Sequence, residues 1–365
     1  MSRICFISNL FPSEKDPSFG SFVGKNYAQF EETGHEIVSK VVIDHRAKGL
    51  RKLLCYIRFI YQGIFALAKR NYDVVYIHYL TYSTICLLPF LVFSKPKYVI
   101  NVHGDDLVGA SLIHKIMGLS SPWVIKHSAA IVVPSEYFKT RLLDMYPWYS
   151  KQNVIVSESA GVDFDLFKPQ SEVIKDKFNL GYVSRIDEGK GWPELLKAIA
   201  LIKSKTPERL SSFELNMYGT GAQVEELRQM IDSLKLNSLV RYHGALAQSQ
   251  LVEQYNAMSA FIFPTHRESF GLVAVEALAC GTPVLASNIS PVNEVVKHGI
   301  NGLLFDVKNE HSIAKSIIEL IDMKPERYQE MKRSTRSSVL CYESNNVIST
   351  LNENLTKRSI FKTCR

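Results

Sequence analysis

The sequence predicts an α/β protein of two doubly wound domains, and three observations carry that reading. The chain has 365 residues, more than one hydrophobic core usually supports, so two domains are expected. Short apolar runs rich in β-branched residues alternate with longer helical stretches. Those runs are continuously apolar, not alternating, which marks strands buried on both faces, as in a parallel sheet.

In the first half the strands fall at 4–8, 37–43, 74–78, 98–102, 131–133 and 154–157. In the second they fall at 179–183, 214–218, 240–243, 260–263, 283–286 and 302–305, with helices at 193–203, 224–234 and 248–258 among them. Between the halves, residues 161–170 are rich in turn formers and contain Pro169, and they read as the linker. Beyond Asp306 the sequence is charged and helical with no further strand. The expected division is an N-terminal domain over 1–165, a C-terminal domain over 166–345, and a final helix over 346–365 packing back on the first. Two open parallel sheets of this kind, facing each other across a cleft, bind ligands in the loops beyond the carboxyl ends of their strands.

Composition narrows the function classes. Apolar residues at 46% and charged residues at 22% describe a globular protein. The six cysteines are scattered, with no CxxC pair, which argues for reduced thiols in a reducing compartment and against a structural zinc. The apolar run after Arg3 stops at Pro12, too short for a signal peptide, so a cytoplasmic protein is expected. The longest apolar stretch, 82–94, is too short to span a bilayer and reads as a buried helix between two strands.

The net charge of +7 is uneven. From Arg46 to Arg70 the chain carries Arg46, Lys48, Arg51, Lys52, Arg58, Lys69 and Arg70 and no acid, with Leu, Ile, Phe and Tyr among them. A basic, aromatic helix over 46–70 suits an anionic membrane surface, which would make the protein peripheral on the inner face of the membrane. It equally suits a helix that packs its apolar face on a sheet and solvates its basic one. No recognition motif accompanies the charge, so nucleic acid is not an expected partner.

The chemistry is expected where strands give way to helices. The segment Thr265-His266-Arg267-Glu268-Ser269-Phe270-Gly271-Leu272-Val273-Ala274-Val275-Glu276 follows one strand and opens a helix. Ser269 is a natural N-cap and Gly271 admits close approach to the backbone. N–H groups from Phe270 to Val273, with the positive end of the helix dipole, make a seat for a diphosphate. Glu276 suits bidentate acceptance of two ribose hydroxyls. Taken alone, Glu268 reads as a cap and Glu276 as the partner of a surface lysine. A second loop, Ser184-Arg185-Ile186-Asp187-Glu188-Gly189-Lys190-Gly191, brings two cations to another strand-to-helix turn, which suits a clamp for the charge on a departing phosphate and, taken alone, equally suits a solvated charge cluster.

Together these residues resemble the retaining glycosyltransferases of family 4, which use the GT-B fold of two Rossmann-like domains. Glu268 and Glu276 match that family's E-x7-E motif, and Arg185 with Lys190 matches its basic pair. The resemblance extends to Cys280-Gly281-Thr282-Pro283-Val284, Glu294 and the Gly299–Phe305 turn. It implies that Arg185 and Lys190 hold the donor diphosphate. It further implies that Glu268 and the backbone of Ser269, Phe270, Gly271 and Leu272 meet sugar and phosphate, and that Glu276 holds the ribose. Ser184, Gly219 and Gly244 would border the nucleotide. His103, in Asn101-Val102-His103-Gly104-Asp105-Asp106, would lie near the anomeric centre, with Asp105 or Asp106 capping the next helix. Gly20 would belong to a glycine loop beside the transferred sugar. The chain departs from the family at Ser21, Ser184 and Ala160, where glycine, glycine and asparagine are usual.

The implied activity is transfer of a sugar from a nucleotide-diphosphate-sugar, UDP preferred over GDP, to a saccharide or lipid-linked saccharide in surface polysaccharide synthesis. No cofactor or metal is expected, because the cations do the neutralising; Asp163-Phe164-Asp165 has metal-ligand spacing but lies in the linker. A nucleotide-sugar epimerase or a phosphorylase on the same scaffold, an oxidoreductase, and a non-catalytic nucleotide-sugar-binding subunit remain alternatives. The absence of G-x-G-x-x-G after the first strand weighs against the oxidoreductase.

Overall fold

The computed structural model describes residues 1–93, 95–108, 118–170 and 177–362. The chain forms two compact units, Met1–Gly161 with Ser344–Arg365, and Val162–Glu343.

The first unit is built on six parallel strands: β1 (Arg3–Ser8), β2 (Glu36–Val42), β3 (Val74–His78), β4 (Tyr98–Asn101), β5 (Ala130–Val133) and β6 (Val154–Val156). Their order is β2-β1-β3-β4-β5-β6. Both faces are covered, which explains the unbroken apolar runs. Ile4, Phe6, Val74 and Tyr76 enter one core, while Cys5, Ile7, Val75 and Ile77 enter the other. On the first face lie α1 (Ser21–Glu32) and the C-terminal α14 (Ser344–Lys357), through Val23, Phe30, Ile348, Leu351 and Leu355. On the second lie α2 (Gly49–Ala68), α3 (Leu88–Phe93), α5 (Ser121–His127) and α6 (Glu136–Met145). A short α4 (Asp105–Val108) follows β4.

The 82–94 stretch is not one buried helix. A 3-10 segment, Ser83–Leu87, leads into α3, because Pro89 has no N–H to continue a preceding helix and fits only a first turn. Leu87 and Leu91 are buried but Val92 is 58% exposed; Ser94 lies outside the described residues.

The second unit repeats the plan with β7 (Phe178–Val183), β8 (Phe213–Tyr218), β9 (Val240–Gly244), β10 (Ala260–Phe263), β11 (Val284–Ser287) and β12 (Gly302–Phe305), in the order β12-β11-β10-β7-β8-β9. All pairings are parallel. Helices α7 (Trp192–Lys205), α8 (Val224–Ser233) and α12 (Glu310–Ile321) bury one face. Helices α9 (Gln248–Ala257) and α10 (Leu272–Ala279) bury the other. The short α11 (Val292–Val295) and α13 (Pro325–Ser337) complete the unit. Truncating a buried aromatic such as Phe261 to Ala would cost about 3–5 kcal/mol.

The expected linker is fastened into the second unit. Val162 N donates to Tyr342 O at 2.9 Å, and Phe164 and Phe167 are buried in its core. The Arg336 guanidinium of α13 donates to Phe164 O, Phe167 O and Ala279 O at 2.8–3.0 Å. Asp163 Oδ1 accepts from Asp165 N and Leu166 N, a turn-forming role. The five described cysteines are free thiols.

Candidate functional site

In the second unit β7 lies beside β10, pairing Ala260 with Leu180 and Phe261 with Gly181.

 The chain leaves β7 towards β8 on one side and leaves β10 towards β11 on the other. This reversal is the point where open α/β sheets open a crevice for ligands. The loops after β7 and β10 are therefore neighbours at the carboxyl end of the sheet, and they are the two loops that hold Arg185, Lys190 and Glu268.

The loops are fastened together. His266 N donates to Gly189 O at 2.8 Å, and the Lys190 ammonium donates to Glu268 Oε2 at 3.1 Å, with both side chains about one-fifth exposed. Gly191 has φ 70°, and a Cβ there would lie 1.8 Å from Pro264 O, so only glycine permits this approach. The Tyr182 hydroxyl, reaching up from β7, donates to Lys190 O at 3.2 Å. The Arg185 guanidinium is mostly exposed and pairs with Asp187 at 3.0 Å. Asp187 also accepts from Ala222 N at 2.7 Å. The two loops hold Arg185, Lys190 and Arg267 against Asp187, Glu188 and Glu268. An anion would thus be drawn by the orientation of donors more than by net charge. Lys190 has three donors, of which Glu268 takes one.

The start of α10 differs from the sequence expectation. Gly271, at φ 96°, is the N-cap, and it provides no side-chain cap. Ser269 stands two residues earlier, its N–H donating to Glu268 Oε1 at 3.0 Å. The cap moves because the left-handed turn at 271 requires glycine, so the helix starts only at Leu272. Phe270 is buried against Tyr342, ring centroids 5.0 Å apart. First-turn N–H groups of a helix have no intrahelical partner, and here no side chain of the N-cap residue takes them up.

Glu276 lies one turn into α10 and is 7% exposed. Its Oε1 accepts from Gln248 at 3.0 Å and its Oε2 from the Tyr255 hydroxyl at 3.0 Å. Burial, with the Glu276 charge beside it, pushes the Tyr255 phenol well above its ordinary range, so the hydroxyl stays a donor. Gln248 and Tyr255 are functional-site candidates that sequence reasoning missed; both sit on α9, and only the fold brings that helix beside α10.

The turns after β8 and β9 meet one another. Gly219 N donates to Gly244 O at 2.7 Å, and Ser184 N to Tyr218 O at 3.1 Å. The Tyr242 hydroxyl donates to Gly219 O at 2.8 Å. His243 stacks on Tyr218 at 4.8 Å and contacts Asn216 Oδ1 at 2.7 Å. Ser184, Gly219 and Gly244 thus form one continuous rim beside the Lys190 loop.

In the first unit, Gly20 is the left-handed N-cap of α1, φ 75°, packed on Leu10 of the loop after β1. His103 follows β4 and is buried. Its Nε2 lies 2.9 Å from His78 Nδ1, with the rings stacked 5.1 Å apart. Phe22 and Tyr79 pack on the same imidazole at 4.9 and 4.5 Å. Burial lowers His103 to about 3, and holds His78 well below its ordinary value with His103 as the second cause. Both rings are therefore neutral near pH 7, and one nitrogen of His103 is engaged by His78. Asp106 fixes this corner, accepting from His103 N and Leu80 N at 2.8 Å each. Asp105, the other expected cap, lies outside the described side chains. His78 gave no signal in the sequence beyond its place at a strand end.

The family described as "Glycosyl transferases group 1" matches residues 163–338, and the one described as "Glycosyltransferase Family 4" matches residues 23–158. The D-inositol 3-phosphate glycosyltransferase of Thermobispora bispora is 27% identical over 270 residues, covering 70% of this chain and 59% of that relative. The chain thus spans about three-fifths of the length of this curated relative. Sucrose-phosphate synthase from Thermosynechococcus elongatus has a TM-score of 0.77 at 19% identity, covering 98% of this chain and 99% of that one. Anabaena HepE, solved with UDP and glucose, has a TM-score of 0.74 at 18% identity, covering 98% of this chain and 100% of that one. At these identities the two structures speak to the fold, which is GT-B.

Proposed function

This chain belongs to the family 4 glycosyltransferases, and from that premise we propose that it moves a sugar from a nucleotide-diphosphate-sugar to a saccharide or lipid-linked saccharide with retention of anomeric configuration. The observation that carries the reading is the meeting of Lys190 and Glu268 at the reversal point of the second sheet, beside the start of α10 at Gly271.

In this reading the two remaining N–H donors of Lys190, the Arg185 guanidinium and the first-turn amides of α10 take the donor's diphosphate. Glu268 orients Lys190 and faces the sugar. Glu276, oriented by Gln248 and Tyr255, accepts from the ribose hydroxyls. The rim at Ser184, Gly219 and Gly244 borders the nucleotide. UDP is the favoured nucleotide, supported by its presence in the Anabaena structure of the same fold.

Transfer breaks the bond between the anomeric carbon and the diphosphate oxygen. The bond's electron pair leaves with the diphosphate, whose growing charge the cations and amides stabilise. The acceptor oxygen attacks from the same face, and its proton passes to the departing phosphate. No metal enters this scheme, because Lys190 and Arg185 supply the positive charge. A role in surface polysaccharide synthesis accords with a saccharide acceptor.

The test is a panel of nucleoside diphosphates screened by thermal shift. It is followed by NMR of the product from the matching nucleotide-sugar, with and without acceptor. The expected result is stabilisation by one nucleotide and an acceptor-dependent product of unchanged anomeric configuration. A donor altered without acceptor would identify an epimerase, and binding without turnover a non-catalytic subunit; either overturns the proposal.

A further inference from the structure

An ordinary amphipathic helix on a sheet buries its apolar stripe and shows polar residues to water. Helix α2 does not. Its inner face, Phe59, Gly63, Ala66 and Leu67, is buried against the sheet. Its outer face carries Leu50, Leu53, Leu54, Ile57, Tyr61 and Phe65, each 55–72% exposed. At about 100° per residue these six fall on one stripe, roughly 160° round the helix from the buried residues. Arg51, Arg58 and Lys69 lie along one flank of that stripe, about a quarter-turn away. No acid occurs from Arg46 to Arg70.

The feature is not confined to one helix. Leu119, Trp123 and Trp148 are 79%, 39% and 53% exposed on or beside α5 and α6, the helices that share the α2 layer of the sheet. On the opposite layer, α1 and α14 expose no large apolar side chain among the described residues. An apolar stripe exposed along the length of a helix marks an interaction site. No helix among the described residues is long and apolar enough to cross a membrane, so α2 lies along whatever it meets.

We infer that the α2 layer is a docking surface for an anionic lipid bilayer, with the outer stripe of α2 in the headgroup–acyl boundary and Arg51, Arg58 and Lys69 on lipid phosphates. Charge complementarity decides the occupant. A basic flank without acids, an apolar ridge and exposed tryptophans match the layered chemistry of an anionic bilayer interface. The surface is separate from the diphosphate site, so failure of either proposal leaves the other standing.

The experiment is cosedimentation of the full chain with phosphatidylcholine vesicles lacking or containing phosphatidylglycerol, at low and high salt. Emission of Trp123 and Trp148 is followed in parallel, Trp192 being buried. Expected are binding to the anionic vesicles alone, loss of binding at high salt, and a blue shift on binding. R51Q/R58Q/K69Q should weaken binding about a hundredfold, at about fivefold per charge. I57Q/Y61Q/F65Q should abolish the blue shift while circular dichroism stays unchanged, since these side chains are exposed. No binding to anionic vesicles, or binding indifferent to both variants, overturns the inference. So does a dimer in solution that I57Q/Y61Q/F65Q dissociates, which would assign the ridge to a second copy of the chain.

Discussion

Gly191→Ala compared with Gly189→Ala isolates what the contact between the β7 and β10 loops contributes. Both glycines have positive φ, 70° and 82°, so alanine at either costs about 1–2 kcal/mol for the left-handed conformation. Space separates them. A Cβ at 189 meets nothing within 4 Å, whereas at 191 it would lie 1.8 Å from Pro264 O. The carbonyl must retreat by roughly 1.5 Å to restore van der Waals contact. That displacement pulls His266 N from Gly189 O and Lys190 from Glu268. One hydrogen bond and one partly exposed ion pair together contribute about 1–2 kcal/mol. The expected total for Gly191→Ala is about 3 kcal/mol, or a fall in Tm of roughly 6–12 °C. For Gly189→Ala, at about 1.5 kcal/mol, it is roughly 3–6 °C. Moving the diphosphate donors by this much should lower turnover about a hundredfold, with Gly189→Ala within a few-fold of wild type. Calorimetry and initial rates on both variants decide it. If they fall within twofold of each other in rate and within 2 °C in Tm, the two loops do not act as one device.

Glu276→Ala should leave the buried Tyr255 hydroxyl and the Gln248 amide without their acceptor, costing about 1–3 kcal/mol in urea unfolding, and should weaken nucleotide binding beyond that loss. Acidification should destabilise the first unit through His103 and His78. Their folded pKa values lie below the ordinary 6.5, so the unfolded chain binds more protons, and stability is complete above pH 6.5 and falls towards pH 3. The slope should be on the order of 1 kcal/mol per pH unit per excluded proton, and His103→Phe should flatten it in denaturation at pH 4–7. Arg336→Lys keeps the charge but loses the fork that holds Phe164 O, Phe167 O and Ala279 O. Urea unfolding should show a loss of about 2 kcal/mol.

The strands were legible because parallel sheets bury both faces, so each appears as an unbroken apolar run whichever way its side chains point. The residues of the loops after β7 and β10 were legible as types: cations, glycines and carboxylates where strands meet helices. Their meeting was not, because it depends on β10 pairing with β7, and no local pattern encodes the order of strands in a sheet. The same limit hid Gln248 and Tyr255, which reach Glu276 only through the packing of α9 on α10, and His78, which reaches His103 across two neighbouring strands. In α2 the apolar content was plain, but periodicity does not tell which of two apolar faces the sheet takes. The N-cap expected at Ser269 failed for a conformational reason, the left-handed turn at Gly271.

The account rests on Lys190 and the start of α10 forming a diphosphate seat. Its most direct test is the Kd of UDP, by isothermal titration calorimetry, for wild type and Lys190→Ala at matched thermal stability. The account predicts saturable binding by wild type and a loss of about tenfold or more in the variant, the scale of one charge-assisted contact. Equal affinity in the two proteins would contradict it.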